Sequence, residues 1–247
     1  MANLGTLVWL AQSGGKLAWH EKWRMLTQAM MLRWRKQSSI AESHLPEGLM
    51  PTPPDTAMTR AALQVLQTSS PNFLIHHALR SYCWARLFQA QTSDSRAVDD
   101  EALFVACLLH DLGLAPDYRR SDICFTVAGV EMVYELAIEQ QWSERQADLA
   151  AEAIALHLNV RLEHSQGREA QLLRLGSAAD VLGLGLPRIS AAKRQQVVQA
   201  FPRRQFKQRM HDVLQSHTQH CPDCRLALLS QRLGFTQMLL KNPWFDE

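Results

Sequence analysis

The feature that most constrains this chain is a histidine–aspartate pair at the end of a long uncharged segment. His110 and Asp111 directly follow residues 102–109, none of which carries a charge. Such a segment predicts a buried helix, and Gly113 and Pro116 predict that this helix ends just after the pair. A buried carboxylate costs several kcal/mol unless a partner or a metal ion compensates its charge. The pair is therefore predicted to be either a hydrogen-bonded cap or part of a metal site.

Three further polar residues interrupt apolar helical segments elsewhere in the chain. They are His77 within residues 73–80, His157 within residues 153–158 and Asp180 within residues 175–182. Four unrelated polar defects in one core would be hard to stabilise. Two histidines and two aspartates on separate buried helices are instead a suitable ligand set for a first-row divalent metal. The residues therefore favour a metal site over a simple cap.

The composition narrows the classes of partner. Of the 247 residues, 47% are hydrophobic and 20% are charged, as in globular proteins generally, and the net charge is only +2. That charge is too small to indicate binding to nucleic acid or to an anionic membrane. The five cysteines suggest no disulfide framework, and neither a signal peptide nor a membrane span is recognisable. We therefore expect a cytoplasmic protein with a small-molecule substrate, and a homo-oligomer is compatible with the sequence.

Hydrophobic periodicity predicts an all-α protein. Residues 16–36 predict an amphipathic helix with a basic face, either packed on the main domain or available to a membrane surface or a partner. Residues 37–56 predict an irregular connector. Three further helices begin at predicted caps: one runs from Asp55 to Leu66, one from a Ser143 capping box to His157, and one starts at Ser190. Another starts at Pro71, and another surrounds Asp180. The remaining helices are predicted over 99–112, 126–140, 203–217 and 223–240.

The order of the polar residues resembles a known signature. A histidine, then a His-Asp pair, then an aspartate on successive helices is similar to the HD-domain superfamily of metal-dependent hydrolases. Within it, the chain most resembles the cyanamide hydratase-like proteins, at residues 77–82, 109–114, 125–129, 153–157, 176–183, 201–203 and 242–245. The resemblance implies an all-α HD-domain bundle over residues 51–247, with an extra N-terminal helix and connector in residues 1–50. It also implies that the metal ligands are His77, His110, Asp111 and Asp180.

Four positions depart from the cyanamide hydratase-like pattern. Thr126 replaces the glutamate of a Phe-Glu pair, and Val130 replaces a small residue. Glu131 also differs, and His76 stands where an asparagine commonly precedes the first ligand. If the missing carboxylate orients substrate or water in that family, the substrate of this chain differs from cyanamide.

The predicted ligand set suits the activation of water. A divalent ion, with zinc preferred and iron or manganese as alternatives, would lower the pKa of a bound water. In a hydratase the water would add to a nitrile-type carbon and convert cyanamide to urea. In a phosphohydrolase it would attack the phosphorus of a nucleotide or phosphomonoester. A third interpretation is a non-catalytic regulatory module that uses residues 16–36 as its contact surface.

Two residues are candidates for catalytic roles beside the metal. His157 is predicted to transfer a proton or to support a ligand, with a satisfied core histidine as the alternative. Arg80 lies one helical turn after His77 and is predicted to orient Asp180 or to bind substrate, with a structural ion pair as the alternative.

Two other groups are weaker candidates for metal binding. His157 and His164 would hold a second ion if they lie on one helix, but the polar surroundings of His164 predict exposure. The segment 217–224 contains two histidines and a Cys-x-x-Cys pair that would suit zinc. Zinc modules usually place their ligand pairs much further apart, so a plain loop between helices is the favoured interpretation.

Overall fold

The computed structural model describes residues 3–34, 50–92 and 94–245. Within these residues the chain forms twelve α-helices and no strand, which confirms the predicted all-α class. The helices are α1 (Leu7–Ser13), α2 (Trp19–Trp34), α3 (Ala57–Ser69), α4 (Asn72–Ala90), α5 (Asp100–Leu109), α6 (Thr126–Glu139), α7 (Glu144–Leu156), α8 (Arg168–Leu182), α9 (Ala191–Ala200), α10 (Phe206–His220), α11 (Arg225–Leu233) and α12 (Phe235–Leu240). Short 3-10 turns lie at Leu112–Leu114, Pro116–Tyr118 and Leu186–Arg188.

Helix α5 is the central element of the fold. Every residue from Ala102 to Leu109 is buried, and the helix packs against α3, α4, α6, α7 and α8. The segment lacks charge because no face of the helix reaches water. Helix α7 contributes a set of small buried side chains that lets α5, α6 and α8 approach it closely, namely Ala147, Ala150, Ala151, Ala153 and Ala155.

Helices α4 and α8 make the most extensive contact in the bundle, and they carry His77 and Asp180 respectively. Gly176 permits this contact, because a Cβ at that position would lie 2.1 Å from the carbonyl oxygen of Ser81. The two backbones therefore approach to a distance that any other residue would prevent. This close packing fixes the spacing between the first and last polar residues of the predicted signature.

Several helix ends differ from the sequence-based expectation. Helix α5 ends at Leu109, so His110 is its C-cap and Asp111 lies just outside it, in the turn before residues 112–114. His157 is likewise the C-cap of α7 rather than an interior residue. Helix α3 is capped by Thr56 through a reciprocal capping box and not by Asp55, and the predicted helix 223–240 is divided at Gly234, whose φ is 69°.

The N-terminal segment contains two helices where one was expected. The amphipathic helix predicted over 16–36 corresponds to α2, and α1 precedes it. The segment is attached to the bundle by hydrogen bonds, from the Leu7 N–H to Glu152 and from the Leu17 N–H to the Asp223 carbonyl. Of the predicted connector 37–56, residues 37–49 lie outside the described part of the chain. No helix among the described residues has the length and apolar character needed to span a membrane.

Candidate metal centre

Three of the predicted site residues meet at one point. His77 comes from the first half of α4, His110 caps α5, and Asp111 follows it directly. The Nε2 atoms of His77 and His110 are 3.2 Å apart, and Asp111 Oδ2 lies 3.3 Å from the first and 3.4 Å from the second. Potential ligand atoms of these three residues all lie within 4.8 Å of one another.

The Nδ1 atom of each histidine is held by a hydrogen-bond acceptor. His77 Nδ1 donates to Asp180 Oδ2 at 2.8 Å, and His110 Nδ1 donates to the Cys107 carbonyl at 2.9 Å. His157 Nδ1 donates to the Ile154 carbonyl at 2.7 Å. The last two acceptors are carbonyls left free in the final turn of a helix, so the C-cap position itself orients each ring. In the neutral imidazole, each Nε2 then carries a lone pair.

This arrangement needs a cation. Two nitrogen lone pairs and a carboxylate oxygen within 3.4 Å of one another repel unless positive charge lies between them. Imidazole nitrogens oriented through Nδ1, together with a carboxylate, form a donor set that suits first-row divalent metals. The residues present therefore fit a divalent metal ion.

The electrostatic environment keeps two of these ligands in their metal-binding forms. Burial lowers the pKa of His110, so its ring stays neutral. Burial would raise the pKa of Asp111, but His110 and His77 outweigh it and hold that pKa below its usual range. Burial also opposes protonation of His77, yet Asp111 and Asp180 outweigh this effect and raise its pKa. An ion between the three residues would take the place of the proton that His77 attracts.

Asp180 occupies a different position from the other three. It contacts Nδ1 of His77, on the side of the ring away from His110 and Asp111. Its two oxygens accept bonds from Arg80 Nε at 2.7 Å and Arg80 Nη2 at 2.9 Å. Trp84 Nε1 at 3.1 Å and Arg203 Nη1 at 3.0 Å donate to Oδ1. Although burial would raise its pKa, Arg80 and Arg203 hold the pKa of Asp180 well below the usual range. It is thus an ionised anchor for His77.

A family comparison agrees with this geometry. Residues 74–182 match the family model of the HD domain. This segment of the chain is similar to the HD domain. HD domains are all-helical and are mostly metal-dependent hydrolases. The match spans His77, the His110–Asp111 pair, His157 and Asp180. No curated protein matches the chain significantly.

His157 lies at the edge of the cluster formed by His77, His110 and Asp111, which is called the HD site below. Its ring packs edge-on against His110 with centroids 5.1 Å apart, and its Nε2 is 3.9 Å from Asp111 Oδ1. Burial lowers the pKa of His157 to about 3. Beyond it lies a cavity of about 240 Å³, lined mostly by apolar side chains, with Arg174 in its wall. His157 therefore borders both the ligand cluster and this cavity, whereas His164 is exposed and lies outside the cluster.

Arg80 is committed to the protein interior. It is fully buried, forms the two-point contact with Asp180 and donates a further bond to the Phe201 carbonyl at 2.9 Å. This geometry favours the predicted orienting role over substrate binding. Sequence reasoning missed two partners in the same network, Trp84 and Arg203. The segment Phe201-Pro202-Arg203 was part of the resemblance to the cyanamide hydratase-like proteins, but its sequence does not predict that Arg203 contacts Asp180.

The four positions that depart from the cyanamide hydratase-like pattern lie in different environments. Thr126 is buried at the first position of α6, and its hydroxyl contacts Cys124 Sγ at 3.3 Å. Glu131 is exposed and pairs with Arg120, so it does not replace the missing carboxylate. Val130 is half-buried, and His76 donates from Nδ1 to the Pro202 carbonyl at 2.7 Å.

Proposed function

We propose that this chain is a metal-dependent hydrolase or hydratase whose HD site binds one divalent ion through His77, His110 and Asp111. The observation that carries the proposal is the convergence of two imidazole lone pairs and one carboxylate within 3.4 Å. Zinc is the preferred ion, with iron or manganese as alternatives. When bound, the ion would supply a water of lowered pKa and a positive charge that polarises the substrate.

The surrounding residues have separate roles in this proposal. Asp180 fixes the ring of His77 through Nδ1, and Arg80 and Arg203 fix Asp180. Direct ligation by Asp180, which the family resemblance implied, would require it to give up contacts with these partners. His157 would accept a hydrogen bond from water at Nε2 and orient that water, because its Nδ1–H is held by Ile154 and its ring is neutral.

We further propose a compact nitrile-type substrate such as cyanamide, which hydration converts to urea. The resemblance to cyanamide hydratase-like proteins supports this class. The apolar cavity of about 240 Å³ beside His157 supports a substrate with few polar groups. Because Thr126 replaces the family glutamate, a relative of cyanamide is as suitable as cyanamide itself.

Arg174 favours a second candidate function. Its side chain is half-buried and lines the cavity beside His157. An anionic group would pair with such a donor, so a phosphohydrolase acting on a nucleotide or phosphomonoester is the alternative. Release of inorganic phosphate from a nucleotide panel, without urea formation from nitriles, would establish this alternative.

Elemental analysis tests the proposal directly. The protein is purified without added metal and without a histidine tag, and the metal content of Asp111→Ala is compared with that of wild type. Asp111→Ala should contain about one ion per chain fewer and should lose urea formation from cyanamide and related nitriles. Asp117→Ala, which removes an exposed aspartate, is the matched control. It should change neither the metal content nor urea formation.

An unchanged metal content in Asp111→Ala would contradict the proposed ligand set. If wild type also took up no ion at the HD site on titration, a regulatory or binding module would become the leading interpretation. Helix α2 would then be its contact surface, since it exposes a row of large apolar side chains, namely Trp19, Trp23, Met30 and Met31.

A further inference from the structure

A second group of metal-binding side chains lies outside the HD site. His217 is in the last turn of α10, Cys221 directly follows that helix, and Cys224 is the N-cap of α11. Potential ligand atoms of these three residues lie within 4.8 Å of one another, and all three side chains are buried. The segment 217–224, which the sequence favoured as a plain loop, therefore brings two thiols and an imidazole to one point.

A fourth donor comes from a distant part of the chain. Cys124 precedes α6 and is buried, and its thiol lies beside Cys224 and His217. Within residues 217–224 alone, the ligands are too closely spaced to form the two separate ligand pairs of a usual zinc module. Cys124 completes the set across the fold, which local spacing does not reveal.

The local backbone brings these donors together. The Cys221 N–H bonds to the His217 carbonyl, and the Cys224 N–H bonds to the Cys221 carbonyl, so the chain makes a tight turn with all three side chains on one side. The Ala227 N–H donates to Cys224 Sγ at 3.5 Å.

A buried positive charge beside the cluster points to negative charge within it. Arg225 is fully buried, and no described carboxylate forms an ion pair with it. It bonds to Asn159 Oδ1 at 2.9 Å, lies over the Trp9 ring and contacts the Cys124 thiol. Its Nε and Nη2 have no hydrogen-bond partner among the described residues. Glu21 is the carboxylate whose charge reaches Arg225, but it forms no ion pair with it, so thiolates in the cluster would supply the missing direct counter-charge.

We propose that Cys124, His217, Cys221 and Cys224 bind a structural zinc ion. Three thiolates and one neutral imidazole around a dication carry a net charge of minus one, which compensates Arg225. Binding breaks three S–H bonds and releases three protons to solvent, with no change of oxidation state. Four protein ligands leave no open position, so the ion would hold structure rather than perform chemistry.

The site would join three parts of the chain. The Cys124 N–H bonds to the Gly14 carbonyl at 2.9 Å, and the Leu17 N–H bonds to the Asp223 carbonyl at 2.8 Å. A Cβ on Gly15 would lie 2.3 Å from the Cβ of Cys124, so the N-terminal turn packs directly on a ligand. The zinc would thus connect the segment between α1 and α2, the turn before α6 and the junction of α10 and α11.

X-ray absorption at the zinc edge tests the site on the full chain. Wild type and Asp111→Ala, whose HD site is disabled, should both show sulfur scattering at about 2.3 Å from zinc. Cys221→Ser should lose about one zinc per chain and the sulfur signal. Cys83→Ser is the matched control, because Cys83 is also buried but lies outside the cluster, and it should keep both.

A measurement on wild type alone covers the case in which Cys221→Ser does not fold. Stepwise mercurial titration of the native protein, with a zinc-sensitive dye present, should release about one zinc as the cluster thiols react. Burial raises the pKa of Cys83 to about 12, so that thiol should react only after unfolding. Zinc without sulfur neighbours, or a Cys221–Cys224 disulfide in protein purified under reducing conditions, would overturn the proposal.

Discussion

Single hydrogen bonds at Nδ1 decide what the HD site can bind. The Cys107 and Ile154 carbonyls and the Asp180 carboxylate each take an Nδ1 proton and leave a lone pair at Nε2. Without these acceptors the same rings could present N–H groups to one another. The metal-binding property therefore depends on the acceptors as much as on the imidazoles.

Replacement of His157 should lower turnover without changing the metal content. In His157→Ala the metal content should match wild type, because three other residues hold the ion. Turnover should fall by about 100-fold, since the group that orients the water is lost. Steady-state kinetics beside elemental analysis would check this, and a parallel loss of metal would instead identify His157 as a ligand.

Removal of Asp180 should destabilise the fold. Asp180→Ala removes the carboxylate that pairs with the buried Arg80, and the free energy of unfolding should fall by about 3–5 kcal/mol. Asp55→Ala, which breaks an exposed pair with Arg60, should have little effect. Urea denaturation of both variants provides the comparison.

The cost of Asp180→Ala should also depend on pH. The pKa of Asp180 is held below its unfolded value, so its stabilisation is complete above the ordinary aspartate pKa of about 4. It is lost as pH falls through the lower, folded pKa. The difference in unfolding free energy between wild type and Asp180→Ala should therefore shrink in acid, and a difference independent of pH would show that the carboxylate charge is not the cause.

At the level of helices, one contact sets the geometry of the HD site. Helices α4 and α8 meet at Gly176, one turn from Asp180 and opposite the helix that carries His77. The ion pair between Arg80 and Asp180 spans the same contact. Any change that separates these helices should disturb the bond between Asp180 and His77.

Gly176→Ala tests this contact. Helix propensity alone would make alanine stabilising by about 1 kcal/mol. We expect the opposite sign, a loss of about 1–3 kcal/mol in unfolding free energy, because the new Cβ meets the Ser81 carbonyl. Metal affinity should weaken in parallel. Ser177→Ala, the next residue of α8, is the control, and a stabilised Gly176→Ala would show that the helices are not in tight contact.

The helices were more predictable than their ends and their polar partners. An uncharged segment such as residues 102–109 is suited only to the protein interior, so α5 and its burial follow from sequence alone. The end of α5 at Leu109, by contrast, depends on packing around the following turn. Arg203 and Cys124 were missed because their partners are distant in sequence and only the folded chain brings them together.

For the molecule as a whole, metal binding and folding should be linked. The HD ligands come from α4 and from the end of α5, and the unfolded chain holds them apart. An ion that binds only the folded chain stabilises it by mass action, by about 2.7 kcal/mol at a free concentration of 100 times Kd. Manganese is the suitable probe, since thiolate sites such as the proposed zinc site prefer softer ions.

Thermal unfolding with added manganese measures this linkage. The Tm of wild type should rise with manganese concentration, and that of Asp111→Ala should not. Equal shifts in both proteins would place manganese binding outside the HD site.

The ring of Phe125 touches both candidate metal sites. It packs edge-on against His157, with centroids 5.8 Å apart, and against His217, with centroids 5.2 Å apart. A change of occupancy at one site would therefore move a side chain that contacts the other. Thermodynamic reciprocity then applies: whatever factor zinc at the cysteine cluster applies to manganese affinity at the HD site, manganese must apply to zinc affinity. The affinity of the chain for one metal would then depend on the concentration of the other.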